Sequence, residues 1–193
     1  MSLIIFEGIP GVGKTTLTKD IAQSFRGTRI GEIITEENHD IPTEGLVVDS
    51  QEYFFRNDER KYALARKAAP SALVVMDRSY LSTVVYNLCS NDPSRIAEAL
   101  AWKEALEKST TEPTAYIYLR MHPDLCFSRK GRQRNNSRDL WTFDENLVRT
   151  QQFYDQWLLQ ERGGITIAVD ATPPYEVVAG QIKKLIAERY QHQ

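Results

Sequence analysis

The sequence predicts an α/β fold in three layers, a parallel β-sheet covered by helices on both faces. Three observations carry this prediction. Short apolar runs alternate with longer stretches of helical periodicity along the chain. The runs are rich in β-branched and aromatic residues, and each is about five residues long, as strands buried on both sides should be. A glycine-rich octapeptide, Gly8 to Thr15, sits between the first run and the first helical pattern.

Taken in order, the predicted strands are Leu3–Phe6, Ile30–Ile34, Ala72–Met76, Ala115–Leu119 and Ile165–Val169. The first helix runs from Lys14 to Phe25. Asp49-Ser50-Gln51-Glu52 reads as a cap and acidic first turn, opening a helix to about Ala69, before Pro70. Helices over Ser79–Leu88 and Arg95–Lys108 follow, and Pro123 opens another that ends at Lys130. Leu147, Gln151, Tyr154 and Leu158 recur at helical spacing, until Gly163-Gly164 stops the pattern. After Pro173-Pro174, Val178, Ile182, Leu185 and Ile186 mark the apolar face of the last helix. Strands alternating with helices imply right-handed crossovers.

The chain has 193 residues, which fits a single domain over 1–193. Its formal net charge of −2 gives no global field to attract nucleic acid or an anionic membrane. Cys89 and Cys126 stand far apart, in no metal-type spacing, and read as small buried hydrophobes of a reducing compartment. No apolar run approaches membrane-spanning length, so the expectation is a cytoplasmic enzyme without membrane or nucleic-acid partners.

The stretch FEGIPGVGKTTL contains Gly-x-x-x-x-Gly-Lys-Thr. Gly8, Gly11 and Gly13 let backbone N–H groups turn inward around phosphate oxygens, the amides of Val12 and Thr16 joining the cradle. The helix that begins there adds the positive end of its dipole. Lys14 supplies a charge to the β- and γ-phosphates, and the Thr15 hydroxyl suits Mg²⁺. A tight turn needing only glycine would not explain the Lys-Thr pair. ATP with Mg²⁺ is the expected cofactor.

VVMDRSYLS ends an apolar run with Asp77, at the rim where ligands sit in open α/β sheets. Asp77 can hold Mg²⁺ opposite Thr15, and Arg78 can reach a phosphate. RKGRQRNNSR carries Arg129, Lys130, Arg132, Arg134 and Arg138 with no acid among them. It reads as a lid over about 129–140 that closes on the phosphates, Arg129 toward the nucleotide and Arg132 and Arg134 toward the transferring group. No Asn-Lys-x-Asp or Leu-Ser-Gly-Gly-Gln segment is present, which argues against a switch GTPase and a transport-type ATPase.

These motifs resemble the P-loop kinases of nucleosides and nucleotides, in the branch of thymidylate and deoxynucleoside kinases. The likeness spans nearly the whole chain. DRSYLSTVVYN is similar to the Asp/Glu-Arg-Ser-x-x-Ser segment of deoxynucleoside kinases and to the Asp-Arg-Tyr-x-x-Ser-x-x-Tyr-Gln of thymidylate kinases. YIYLRMHPDLCFSRKGRQR resembles the strand and lid of the former. The resemblance implies a P-loop NTPase sandwich with strand order 2-3-1-4-5, a short helical lid and a homodimer. It also implies that a glutamate just after the second strand orients the acceptor hydroxyl, a place held by Glu36, with Glu37 beside it.

The chain departs from both patterns. Pro10 stands where thymidylate kinases carry an acid, and their Glu-Pro-Gly-Gly segment is missing. The resemblance implies that the helix opened by Ser50 faces the acceptor, where Gln51, Tyr53, Phe54, Arg56 and Arg60 offer stacking, pairing and charge. The reading from the residues is a phosphotransferase acting on a nucleoside, with a nucleoside monophosphate or another small-molecule hydroxyl as alternatives. A regulator that binds nucleotide without catalysis is the reading outside that class.

Overall fold

The computed structural model describes residues 2–33, 51–70, 72–110, 112–130 and 140–190. Its sheet has five strands: β1 (Leu3–Glu7), β2 (Thr28–Ile30), β3 (Val74–Asp77), β4 (Ala115–Arg120) and β5 (Thr166–Asp170). All neighbouring pairs are parallel, in the order β2-β3-β1-β4-β5. The helices are α1 (Lys14–Ser24), α2 (Gln51–Ala68), α3 (Tyr80–Leu88), α4 (Pro93–Ser109), α5 (Pro123–Lys130), α6 (Asp144–Tyr154) and α7 (Tyr175–Tyr190). A π-helical stretch, Asp155–Glu161, continues α6 and ends just before Gly163.

Side-chain alternation sorts the core onto the two faces of the sheet. Ile4 and Phe6 of β1 join Val75, Ile117 and Leu119 under α1 and α7, where Leu17, Ile21, Val178 and Ile182 pack. Leu3 and Ile5 point the other way, with Val74, Met76, Tyr116 and Tyr118, against Tyr62 of α2, Val84 of α3 and Tyr154 of α6. Every residue of β1 is buried because the strand is central and covered on both sides. This is the expected three-layer sandwich.

The main difference from the sequence reading lies in β2. The apolar run predicts a strand over Ile30–Ile34, yet pairing with β3 sets it at Thr28–Ile30, with Thr28 opposite Val74 and Ile30 opposite Met76. Gly27 fixes the approach, since a Cβ there would lie 2.5 Å from the Leu73 carbonyl oxygen. The strand therefore ends two residues before Glu32. A smaller shift occurs at α4, which starts at Pro93 because Asp92 caps it, accepting from the Ser94 amide at 2.9 Å.

Candidate active site

Three of the parallel strands deliver polar groups to one rim. The loop after β1 turns through Gly8 (φ 142°), Gly11 (φ 96°) and Gly13 (φ 96°). Gly8 approaches the Leu119 carbonyl and Gly11 the Cys126 carbonyl too closely for any side chain, whereas Gly13 has open space and needs glycine for its φ alone. The loop is thus shaped by its backbone and braced by β4 and α5.

Lys14 opens α1 and folds back over that loop. Its Nζ donates to the carbonyls of Gly8 (2.6 Å) and Ile9 (2.9 Å). Burial, then the nearby Arg78 cation, lower its pKa to about 7, although Asp77, Glu32 and Glu7 pull the other way. Thr15 follows on the exposed side of the first turn.

Asp77 ends β3 and is fully buried. Its Oδ2 accepts from Arg29 Nη2 at 3.2 Å, and Arg29 Nε also donates to Thr18 Oγ1. The second carboxylate oxygen, Oδ1, has no hydrogen-bond partner among the described residues. A buried carboxylate oxygen left open, at the end of the strand beside the one that leads into the phosphate cradle, fits Mg²⁺, which takes few protein ligands and completes its shell with water and phosphate. Thr15 and Asp77 are the residues that would hold it.

Arg78 occupies the left-handed region at φ 65°, an uncommon backbone for a side chain of this size. Its guanidinium is held from several sides. Nε faces Glu32 Oε1 at 2.7 Å, Nη1 donates to Ser82 Oγ at 2.9 Å and reaches the Gly8 carbonyl at 3.4 Å, and the Trp141 ring lies 4.7 Å away. Burial alone would lower its pKa, but the carboxylate of Glu32 leads the groups that raise it, so Arg78 stays a cation. Lys61 of α2 supports the unusual backbone by donating to the carbonyls of Asp77 (2.9 Å) and Arg78 (2.8 Å).

Beneath Arg78 lies Glu7, wholly buried at the end of β1. Its Oε1 accepts from the Ser79 amide and hydroxyl, both at 2.6 Å, and its Oε2 from Ser82 Oγ at 2.8 Å. With the Ser82 proton so committed, Tyr154 donates its hydroxyl to Ser82 at 2.7 Å. Glu7 thereby ties the glycine loop to the first turn of α3.

Beyond Arg78 a cavity of about 760 Å³ opens between α2 and α3. Gln51, Phe54, Asp58 and Lys61 line it from α2, and Thr83 and Asn87 from α3. Gln51 and Phe54 were expected here. Arg56 was also expected, but it faces the other way, pairing with Glu59 at 3.0 Å and Glu52 at 3.9 Å on an exposed surface. Helical geometry explains this, since Phe54 and Arg56 are about 200° apart around α2. Tyr53 stacks edge-on against Phe54 at 5.4 Å and lies outside the cavity lining.

On the opposite rim, Arg129 of α5 clasps the loop after β5, donating to Ala171 (2.9 Å), Thr172 (3.0 Å) and Pro173 (3.4 Å). Glu36 and Glu37 lie outside the described residues, as do Arg132, Arg134 and Arg138 of the expected lid. The sequence reading missed Glu7, Arg29, Glu32, Asp58 and Lys61. Glu7 carried the same signal as Asp77, an acid ending an apolar run. Asp58 and Lys61 extend the i, i+3, i+7 spacing of Gln51 and Phe54 with polar residues on the inward face of α2.

A five-stranded sheet of this order, with a glycine cradle after its central strand, defines a P-loop phosphotransferase. The thymidylate kinase family model matches residues 6–182, and the chain belongs to that family, as a nucleotide kinase. Two relatives are similar over nearly their whole length. The thymidylate kinase of Akkermansia muciniphila is 27% identical, over 97% of this chain and 92% of its own. A probable thymidylate kinase of Archaeoglobus fulgidus is 27% identical, over 95% and 94%. Among solved structures, deoxyadenosine kinase from M. mycoides with bound dATP has a TM-score of 0.69 at 18% identity, covering 96% of this chain and 99% of that one. Thymidylate kinase from Candida albicans has a TM-score of 0.69 at 14% identity, covering 100% and 93%. These structures share the fold. Among the described residues no helix is long and apolar enough to cross a membrane.

Proposed function

We propose that the protein transfers the γ-phosphoryl group of ATP to a nucleoside monophosphate, in the manner of its thymidylate kinase relatives. One observation carries the choice of acceptor. Arg78 stands between the glycine cradle and the cavity, buried and cationic, with its guanidinium within 3.4 Å of the Gly8 carbonyl. A fixed cation at that junction suits an acceptor that brings its own anionic phosphate. This reading departs from the nucleoside acceptor that the sequence favours, and the family match supports the departure.

In this reading the loop amides and Lys14 grip the β- and γ-phosphates. Mg²⁺, held through Thr15 and Asp77, would supply charge neutralisation for the polyphosphate. Arg78 aims the acceptor phosphate along the line of transfer, and Glu32 and Trp141 keep its guanidinium from swinging away. Arg129 steadies the loop on the adenine side. Arg132 and Arg134 of the expected lid would neutralise the group in transfer.

A second reading rests on Glu32 alone. Its carboxylate lies just past β2, is 43% exposed and borders the cavity, where it could orient a nucleoside hydroxyl. Glu32 is the first acid after the observed end of β2, and Glu36, expected in this role, lies outside the described residues. A coupled assay of ADP release with ATP-Mg²⁺ separates the two. Deoxynucleoside monophosphates should stimulate release at least tenfold more than the matching nucleosides, a margin typical of one charged contact. Equal or better rates with nucleosides would reverse the assignment, and no stimulation by any acceptor would favour a nucleotide-binding regulator.

A further inference from the structure

Where Asp58 and Thr83 meet, the acceptor cavity presents lone pairs rather than protons. Asp58 of α2 and Thr83 of α3 face each other there, and the Thr83 hydroxyl donates to Asp58 Oδ2 at 2.6 Å. That bond uses the only proton Thr83 has. Lys61 has no proton to spare for a ligand, since an ammonium has three. Two go to the carbonyls of Asp77 and Arg78, and the third side of the ammonium faces Asp58 Oδ1 at 3.6 Å. Asn87, one turn further along α3, is committed in part. Its Nδ2 donates to the Thr83 carbonyl at 2.9 Å, and its Oδ1 accepts from Arg95 at 3.1 Å.

Phe54 lies one turn before Asp58 on the same face of α2. A planar ring stacked on Phe54 therefore turns one edge toward Asp58 and Thr83, while Arg78 holds the phosphate end. Asp58 is 2% exposed, so a polar edge arriving here leaves water behind and must match what the floor offers.

Resting on the monophosphate kinase reading, we propose that Asp58 selects an acceptor base carrying an exocyclic amino group beside a ring nitrogen, as cytosine, adenine and guanine do. Thymine and uracil present two carbonyl oxygens around their one N–H, and at least one of these would meet the carboxylate, lone pair against lone pair. Burial is the largest influence on Asp58 and raises its pKa despite Lys61 and Thr83. The base preference belongs to the ionised Asp58, because a protonated carboxyl would donate to a thymine or uracil carbonyl and accept from the N–H beside it. The ionised Asp58 accepts from the amino group and has no proton to offer a carbonyl.

The test measures kcat/KM with ATP-Mg²⁺ for dCMP, dAMP, dGMP, dTMP and dUMP. The best amino-bearing acceptor should exceed both dTMP and dUMP by at least tenfold. Asp58→Asn, which adds a donor, should shrink that ratio at least tenfold, a change in preference that mere loss of folded protein cannot produce. The wild-type ratio stands on its own should the variant not fold. Turnover with dTMP or dUMP as the best acceptor overturns the base preference and leaves the kinase reading intact, as does an unchanged ratio in a folded Asp58→Asn protein. Absence of turnover with every monophosphate overturns both.

Discussion

The donor cradle and the acceptor cavity meet at Arg78 but are built from different materials. The cradle is made mostly of backbone, in one continuous stretch from Gly8 to Thr15, whose loop conformation is fixed by three glycines and the start of α1. The cavity is lined largely by side chains from α2, α3 and the short turn at Leu140–Thr142, three segments far apart in the sequence. A backbone site tolerates change around it because its donors belong to every residue. A side-chain site depends on each group having its partners, because a buried polar atom left alone costs about 1–3 kcal/mol. The two halves should therefore fail differently.

The largest effect belongs on the donor side. Lys14→Ala removes the one full charge in the cradle, and kcat should fall by roughly 10³-fold, within the range that a positioned charge contributes to phosphoryl transfer. The fold should hardly notice. Lys14 is a buried ammonium with a lowered pKa, so its burial is a cost to the native state, offset by its two bonds to loop carbonyls. Stability in urea should change by about 1 kcal/mol or less. A loss of activity that tracked loss of folded protein would erase the distinction between the two halves.

The matching change on the acceptor side is Lys61→Met. It strips the donor from the carbonyls of Asp77 and Arg78 and leaves Asp58 buried without its cation. The cost should be about 3 kcal/mol in chemical denaturation, the scale of a broken buried pair. Activity should fall as well, because Arg78 loses the support of its left-handed backbone. If Lys61→Met were as stable as the wild type, the cavity floor would not depend on its side-chain partners.

This contrast also explains what could be read from the sequence. Gly8, Lys14 and Thr15 are legible because a phosphate cradle is local, so spacing alone specifies it. Asp77 and Arg78 are legible because an acid ending an apolar run marks the rim of a parallel sheet. The five strands and their layers follow from periodicity. Strand β2 was misplaced because its position is set by pairing with β3 and by the contact of Gly27 with Leu73, and neither leaves an apolar signature. Glu36, the acid that the resemblance puts after this strand, lies outside the described residues, whereas Glu32 borders the cavity. Arg29 and Lys61 find their partners at Asp77 and Arg78 from 48 and 17 residues away, so their roles exist only in three dimensions.

A subtler expectation concerns protons. Lys14 titrates at about 7 in the folded chain against an ordinary 10.5. Between those values the unfolded chain holds a proton that the folded chain lacks, so stability of the ligand-free protein should rise with pH across that window, and this gain is lost as pH falls through about 7. A bound polyphosphate restores the ammonium form. Calorimetry of ATP-Mg²⁺ binding in buffers of different ionisation enthalpy should then show uptake approaching one proton at about pH 8 and little at about pH 6. Lys14→Ala should abolish the uptake. Uptake that survived the substitution would assign the proton to another group.

The smallest effect should come from Arg56, and it bears on the two faces of α2. The sequence makes Arg56 a substrate contact, but it pairs with Glu52 and Glu59 on a side chain that is 55% exposed. Exposed pairs of this kind contribute ~0.5 kcal/mol or less once water screens them. Arg56→Ala should therefore leave kcat/KM within about twofold of the wild type, because no contact of the cavity is lost, and should shift stability by no more than that fraction. Phe54→Ala, two residues away on the inner face, should instead raise KM for the acceptor at least tenfold, since stacking on an aromatic ring contributes about 1–3 kcal/mol per base. Equal effects at the two positions would mean that α2 turns on binding and brings its outer face to the ligand. Unequal ones would show that the helix already presents its binding face before the acceptor arrives.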